Sequence, residues 1–563
     1  MTALLPLDQK KLLVFAATYN EAQNIPLLLA DIWAVMPLAD VLIVDDHSPD
    51  GTGRLLDEIS QGDQRLKVIH RPRKLGLGSA HYLAMIYAMR SQYDLLVTMD
   101  ADLSHDPKDI PRLVQGLGDG DFLIGSRYAP GGKCDYVGYR KELSRIANVL
   151  ARVMMRINIH EFTTSFRVFN VESLKKVKFN WIGNFGYSFF LESVIRLHAN
   201  GLKLKEEPIH FYNRHSGKSK IPSLEIFRGA TKLLTLFLGS FTSNGTDAPS
   251  QLLDDVCMNC GGVFLYEKYP ELMGAHSGGQ ESNLYKCSSM GHVNKPQIAQ
   301  CLQCGLEQIP LSRQPKDLTQ LYSEVVDSDY LENFKIKQKT FLNTLREIRP
   351  FLPSTPGTLL EIGSYCGLFL QEATRAGWQC WGIEPSKWAA EFSRLANPDA
   401  HIFNLNFEEA AIHLPKEFDA VVSWDVIEHV RDPNQMLLMA NQSLKPGGIL
   451  AFSTLDLDSW FPRLMGRHWP WMMEMHLYYF RKPVLEDMLK KNHFELLHVA
   501  GYRHYASVQY IYKKLIYSLP TFSHRPLSTL VRWIPDWAIP VTLGDIKLFV
   551  AKKRAPNIVI FDN

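Results

Sequence analysis

The sequence predicts an α/β protein: two successive parallel-sheet units with a small cysteine-bearing module between them. Three observations carry this. Short β-rich runs alternate with amphipathic segments from Lys11 and again from Pro353. Four of the eight cysteines form two CxxC pairs in the stretch separating those alternations. A chain of 563 residues exceeds what one hydrophobic core supports. Strand and helix in alternation mean a parallel sheet with covered faces, because each parallel crossover needs a helix-length connection.

In the first unit LLVFAATY leads to a helix over Glu21–Met36, VLIVDD to one over Gly53–Ile59, and LKVIH to one from Gly78, before the strand DLLVTMDAD. Ser223–Phe241 is apolar but carries Glu225, Arg228 and Lys232. Two readings stand for it, a helix lying in a membrane interface and a terminal helix packed on the unit. TSNGTDAPSQLLDD, from Thr242, is small, polar and proline-containing, as linkers are. The expected division is a first domain at 1–241, a linker at 242–256, a cysteine module at 257–310 and a last domain at 311–563. That last domain opens with a helical approach over Leu318–Ile348, then runs TLLEIG, helix, QCWGIE, helix, FDAVVSWD, helix, GGILAFST.

Hydrophobic content of 46% and charged content of 21% are those of an ordinary soluble protein. Lys+Arg 61 against Asp+Glu 59 leaves a net charge of +2, which argues against a nucleic-acid partner. Asp8, Lys10 and Lys11 interrupt the apolar start, so no signal peptide is expected. No run reaches the roughly 18 apolar residues of a membrane span. The expected location is cytoplasmic, with any membrane contact peripheral. Cysteine usage fits a reducing compartment with one metal site better than a disulfide framework.

The chemistry begins with Asp100 and Asp102, two carboxylates one residue apart after an apolar strand. Such a pair can hold Mg2+ or Mn2+ on the diphosphate of a sugar nucleotide. Alone it is more often a solvated turn, but its surroundings add to it. VDDHSPDGT places Asp45 and Asp46 at a second strand end for ribose or base, and TYNEAQNI places Tyr19, Asn20 and Glu21 at a third. Polar strand ends along one edge of a parallel sheet describe a nucleotide cleft.

Residues 11–240 resemble the dolichyl-phosphate mannose synthase group of inverting family-two glycosyltransferases. The resemblance runs through ATYNEAQNI, VDDHSPDGT, RPRKLGLGSA, MDADLSHDP, IGSRY, RKELSRIAN, NFGYSFFLE, EEPIHFYNRHSGKSK and LLTLFLGS, in that order. It implies a GT-A fold, Rossmann-like in its sheet. It also implies transfer of a mannose-like hexose from a GDP-mannose-like donor to polyprenyl or dolichyl phosphate. An acceptor phosphate is already anionic at neutral pH, so the reaction needs a cationic seat rather than a strong base. Arg127 in GSRY, and Arg140 with Ser144 in YRKELSR, match the family's lipid-phosphate seat. Arg214, Lys218 and Lys220 suit a basic loop over the pyrophosphate. The chain departs from the group at Glu161–Arg167, where EFTTSFR replaces an aspartate-proline-threonine-serine-glycine-phenylalanine-arginine run on the acceptor side. A sugar hydroxyl as acceptor stays open as an alternative, and it would require a carboxylate base.

Cys257, Cys260, Cys301 and Cys304 form two knuckles suited to one structural Zn2+, since four thiolates leave no open position. His276, Cys287 and His292 lie between the knuckles as substitutes. Downstream, LLEIGSYCGLFL reads as strand, glycine turn and helix, and GIEPS ends the next strand on Glu384. An acid there suits ribose hydroxyls of either a nicotinamide dinucleotide or S-adenosylmethionine. FDAVVSWDVIEHVRDP and LKPGGILAFST decide between them: residues 257–500 resemble class I S-adenosylmethionine methyltransferases with an N-terminal zinc ribbon, a group that includes sugar methyltransferases. The resemblance implies a second Rossmann-like domain. It matches Glu361, Gly363, Gly367 and Glu384 to the cofactor loop, with Tyr365 where a middle glycine is common. His429 is the first candidate base and His476 the second, each with a purely packing alternative. Trp469 and Trp471 either wall the acceptor pocket or belong to the core. The expectation is a bifunctional enzyme that makes a polyprenyl-phosphate sugar and methylates a related glycan or glycolipid. Its rival is that one half serves only as a binding module.

Overall fold

The computed structural model describes residues 10–136, 139–177, 188–214, 252–272, 295–327, 330, 334–415, 417–509, 512 and 537–554. The chain divides into two compact units. One comprises Met1–Asp254 with Gly262–Lys268 and Cys301–Gly305; the other comprises Asp255–Gly261, Tyr269–Gln300 and Leu306–Asn563. The stretch 257–310, expected to be a module of its own, is thus shared out between them. The segments holding Lys218, Lys220, Ser223–Phe241, His276, Cys287 and His292 lie outside the described residues.

The first unit is built on β1 (Leu12–Thr18), β2 (Asp40–Asp45), β3 (Leu66–His70), β4 (Leu95–Asp100), β5 (Phe122–Ser126), β6 (Arg167–Asn170) and β7 (Leu204–Pro208), in the order β3-β2-β1-β4-β6-β5-β7. β3, β2, β1 and β4 run parallel, while β6 is antiparallel to both β4 and β5. The period of two sorts each central strand between two cores. Leu13, Phe15, Leu42, Val44 and Leu96 pack with helix Leu77–Arg90 on one face. Val14, Ala16, Val41, Ile43 and Val97 pack with helices Ile25–Val35 and Ile110–Leu117 on the other. Burial on both faces explains why these strands read as unbroken apolar runs. Helix Leu77–Arg90 is buried from Gly78 through Ile86, and its small residues permit this: a Cβ on Gly78 would meet the Phe189 ring at 2.6–3.1 Å.

The second unit carries β8 (Thr358–Ile362), β9 (Gln379–Ile383), β10 (His401–Phe403), β11 (Phe418–Trp424), β12 (Leu444–Leu455), β13 (Phe494–Gly501) and β14 (Ile546–Lys553), in the order β10-β9-β8-β11-β12-β14-β13. The first five strands are parallel, and β14 inserts antiparallel to β12 and β13. Among its described residues the helical approach holds helices Leu318–Ser323 and Phe334–Ile348, the latter packed on the sheet through Leu345 and Ile348. No helix among the described residues is long and apolar enough to cross a membrane.

Candidate functional sites

In the first unit, β1, β2 and β4 end side by side because their registers align Thr18 with Asp45 and Ala17 with Asp100. Thr18 Oγ1 donates to Asp45 Oδ1 at 3.1 Å, and the Ser48 amide donates to Asp45 Oδ2 at 3.0 Å. Asp46 is ion-paired with buried Arg71, whose Nη1 donates to Ser79 Oγ at 2.7 Å. Burial outweighs that partner and lifts the Asp46 carboxyl to about 6. Tyr19 lies under the Lys74 ammonium, 3.3 Å from the ring centroid, and Glu21 accepts from Asn24 Nδ2 at 2.6 Å, closing the entry to the first helix.

Asp100 and Asp102 stand at the end of β4 as expected. Ser165 Oγ donates to Asp100 Oδ1 at 2.6 Å, Ser104 Oγ donates to Asp102 Oδ1 at 2.6 Å, and Arg214 Nε lies 2.9 Å from Asp102 Oδ2. Burial first, and then the adjoining Asp102 charge, push the Asp100 carboxyl up against the pull of His105. His105 itself went unremarked in the sequence. The Asp100 amide donates to its Nδ1 at 3.1 Å, so the proton sits on Nε2, which contacts Thr164 Oγ1 at 3.2 Å. The neutral ring thus braces the acidic turn against the EFTTSFR loop.

That loop explains Arg127. Glu161, fully buried, takes Arg127 Nε at 2.8 Å and Nη2 at 2.9 Å in a two-pronged pair, and also accepts from the Thr163 amide at 3.0 Å and Thr163 Oγ1 at 2.6 Å. Burial would push Glu161 up, but the Arg127 charge and these donors hold it below the usual carboxylate range. Arg167, also fully buried, ends the loop by donating to Thr164 O, Phe162 O, Phe190 O and Ser193 Oγ at 2.7–3.0 Å, with burial lowering it to about 9. Ser144 lies on helix Tyr139–Met155, and Asn148 of that helix donates to Glu161 Oε1 at 3.3 Å. The helix includes Arg140, whose side chain lies outside the described residues.

Cys257 and Cys260 form one knuckle, in the second unit, and Cys301 and Cys304 the other, in the first; Gly261 and Gly305 follow the knuckles with φ of 68° and 84°. Only a residue free of Cβ takes that conformation cheaply.

The second unit holds a cavity of about 1680 Å³, lined among others by Glu361, Gly363, Ser364, Tyr365, Glu384, Asp425, Glu428, His429, Trp471 and His476. The turn after β8 has φ of 72° at Gly363 and 45° at Tyr365. Tyr365 is accommodated because its ring packs edge-on against Tyr330 with centroids 4.6 Å apart, and its hydroxyl donates to Asp327 Oδ2 at 3.1 Å. Glu384 accepts the Tyr365 amide at 2.7 Å and the Ser386 amide at 2.8 Å, while burial lifts its carboxyl to about 7. Burial, and then Glu384, push Glu361 well above the usual range; its Oε2 and the Ser364 hydroxyl have no hydrogen-bond partner among the described residues. Orphaned buried polar atoms on a cavity wall fit a ligand that brings donors.

Gly367 does not line this cavity. A Cβ there would strike Ser393 Oγ and Asn397 Nδ2, so its lack of a side chain serves close packing of helix Leu368–Arg375 on helix Lys387–Ala396. Trp469 is likewise core: it is fully buried and donates from Nε1 to Asp545 Oδ2 at 3.0 Å, whereas Trp471 stands on the cavity wall. His429 and His476 come together, ring centroids 4.8 Å apart, with Glu428 beside them. Burial lowers His429 to about 4, so its ring is neutral. Glu428 was not singled out in the sequence, although it adjoins His429.

A family model described as glycosyl transferase family 2 matches residues 13–178, and one described as a methyltransferase domain matches residues 337–499. The polyprenol monophosphomannose synthase of Mycolicibacterium smegmatis is 38% identical over 220 residues, covering 38% of this chain and 83% of that protein. The undecaprenyl-phosphate mannosyltransferase of Micrococcus luteus is 36% identical over 212 residues, covering 38% of this chain and 87% of that protein. Among solved structures, a SAM-dependent methyltransferase from Thermotoga maritima, described as a possible histamine N-methyltransferase, aligns at 20% identity with a TM-score of 0.28, covering 42% of this chain and 100% of that one.

Proposed function

We propose two group transfers for this chain, which belongs to glycosyl transferase family 2 and carries a methyltransferase domain besides. The first moves a hexose, mannose if the two curated relatives are a guide, from a nucleoside diphosphate to a polyprenyl phosphate. The observation that carries it is the meeting of Asp45, Asp46, Asp100 and Asp102 at one sheet edge, within a segment 38% identical to a polyprenol monophosphomannose synthase. Asp45 and Asp46 accept from ribose or base. Asp100 and Asp102 would hold Mg2+ or Mn2+, whose charge would offset that of the departing diphosphate; the Arg214 cation paired with Asp102 supports this reading. An acceptor phosphate oxygen bonds to the anomeric carbon as the bond to the diphosphate breaks, inverting the centre. Arg127, fixed in direction by Glu161, offers that phosphate a permanent charge.

The lipid tail needs a surface. On helix Tyr139–Met155, Ile146, Val149, Leu150 and Val153 are 49–69% exposed and recur at the spacing of one helix face. Lys141, Arg145 and Arg152 share the helix with one acid, Glu142. An apolar face with basic flanks fits an anionic bilayer and supports a peripheral seat for the enzyme at the membrane.

The second transfer moves a methyl group from S-adenosylmethionine to a glycan or glycolipid-related acceptor. Glu384, with both oxygens held by amides, has lone pairs left for two ribose hydroxyls, and Glu361 and Ser364 offer the partnerless atoms noted above. S-adenosylmethionine supplies the methyl on a sulfonium, so the protein mainly aligns donor and acceptor. A cavity of about 1680 Å³ exceeds the roughly 300–1,000 Å³ typical of small-molecule sites, leaving room for an acceptor beside the cofactor. The Glu428, His429 and His476 end is where that acceptor is activated. The four-cysteine cluster takes a structural zinc.

The test is mass spectrometry of organic-soluble products from purified protein, polyprenyl phosphate, a sugar-nucleotide panel, Mg2+ or Mn2+ and S-adenosylmethionine. A lipid-phosphate hexose is expected, and an added methyl on it would join the two reactions. Hydrolysis of the sugar nucleotide with no lipid product would move the acceptor to a hydroxyl.

A further inference from the structure

We propose that Glu428, His429 and His476 form a three-ligand site for a first-row divalent cation of the manganese-to-zinc series on the cavity wall. The assignment of that cavity to methyl transfer is its premise. Glu428 and His429 follow β11, while His476 precedes the short strand Tyr478–Tyr479, so the three come from two separate parts of the chain. One ligand atom from each nevertheless lies within 4.8 Å of the others. Ions with bonds of about 2.1 Å hold their ligands about 3–4 Å apart, so the site closes with an adjustment of about an ångström.

The hydrogen bonds set the rings for this role. His429 Nδ1 is 2.8 Å from Met475 O, and His476 Nδ1 is 2.8 Å from Trp471 O. A carbonyl only accepts, so each Nδ1 carries the proton, at His429 within reach of Tyr322 Oη at 2.9 Å as well, and Nε2 is the atom each ring can offer a cation. A ligating histidine whose other nitrogen donates to a backbone carbonyl is the arrangement that fixes tautomer and ring direction in metal sites. Thr454 Oγ1 donates to Glu428 Oε2 at 2.9 Å and does the same for the carboxylate.

The donor set selects the ion. All-oxygen seats suit magnesium and calcium and thiolates suit structural zinc, but two imidazoles with one carboxylate suit the first-row metals between them. Three protein ligands also leave coordination positions open, unlike the four-cysteine cluster. All three residues line the cavity, so an oxygen of the methyl acceptor could take one of those positions.

The full chain, given a single equivalent of zinc to fill the cysteines, is titrated with Co2+ and read by visible absorption. S-adenosylmethionine binding is measured on the same samples by calorimetry. The expected result is uptake with the weak bands of nitrogen- and oxygen-ligated cobalt and no thiolate charge-transfer band. His476→Gln and Glu428→Gln should each weaken that uptake by on the order of 100-fold, with cofactor affinity retained as proof of an intact fold. No cobalt uptake by the zinc-loaded protein, or uptake undiminished in both variants, overturns the site. Cobalt uptake without S-adenosylmethionine binding would instead overturn the cofactor assignment and leave the metal site standing.

Discussion

Glu384 shows how one buried carboxylate ties the cofactor site to stability. Burial lifts it from 4.5 to about 7, so between those values the folded state holds a proton that the unfolded chain has released. A folded-state pKa above the unfolded one means that stability falls as pH rises through this window. The shift corresponds to roughly 3 kcal/mol, all of it incurred above pH 7. Glu384→Gln should therefore flatten the decline in Tm between pH 4.5 and 7 relative to wild type, measured by calorimetry, while weakening S-adenosylmethionine binding. Gly363 makes a complementary case. An alanine there would be strained at φ 72° and would bring its Cβ to 2.5 Å from Val426 Cγ2. Gly363→Ala should cost about 1–3 kcal/mol, and adding Val426→Ala should restore part of it, since that methyl is the obstacle. Denaturant melts of the two variants check both statements.

Helix Tyr139–Met155 is the element whose two faces have separable tasks. Asn148 turns inward to Glu161, whereas Ile146, Val149, Leu150 and Val153 turn outward. Val149→Glu with Val153→Glu should reduce sedimentation with vesicles rich in anionic lipid by about tenfold or more, because each exchange replaces apolar contact by like-charge repulsion. Turnover with a short, water-soluble polyprenyl phosphate should persist, which separates loss of docking from loss of chemistry. Much at this scale was legible beforehand. The strands announced themselves because parallel strands are buried on both faces and read as unbroken apolar runs, and the polar residues closing β1, β2 and β4 marked the cleft. The antiparallel insertion of β6 was not legible, since its four residues carry no signal of direction. The pairing of Arg127 with Glu161 depends on chain that is close only after folding. Gly367 shows a similar limit: a glycine beside such a turn looks alike in sequence whether its missing side chain makes room for a ligand or, as against Ser393 and Asn397, for neighbouring chain.

At the scale of the whole molecule, the two proposed sites stand on two separate sheets, each packed on its own core. Asp100 and Asp102 belong to the first unit, and Glu361 and Glu384 to the second. A substitution that removes one carboxylate while keeping the shape of its side chain should consequently be felt in one reaction only. Asp102→Asn is expected to lower sugar transfer by on the order of 100-fold or more, because it removes charge from the pair proposed to hold the metal. Its S-adenosylmethionine affinity should match wild type within about twofold, as expected for independent sites. Glu384→Gln should do the reverse, leaving transfer to polyprenyl phosphate intact while cofactor binding weakens. Calorimetry with S-adenosylmethionine and a radiolabelled lipid-extraction assay measure the two arms on the same preparations. If Asp102→Asn weakened cofactor binding as well, the sites would be coupled across the chain, and the enzyme would have to be treated as a single device in which the state of one cleft sets the other.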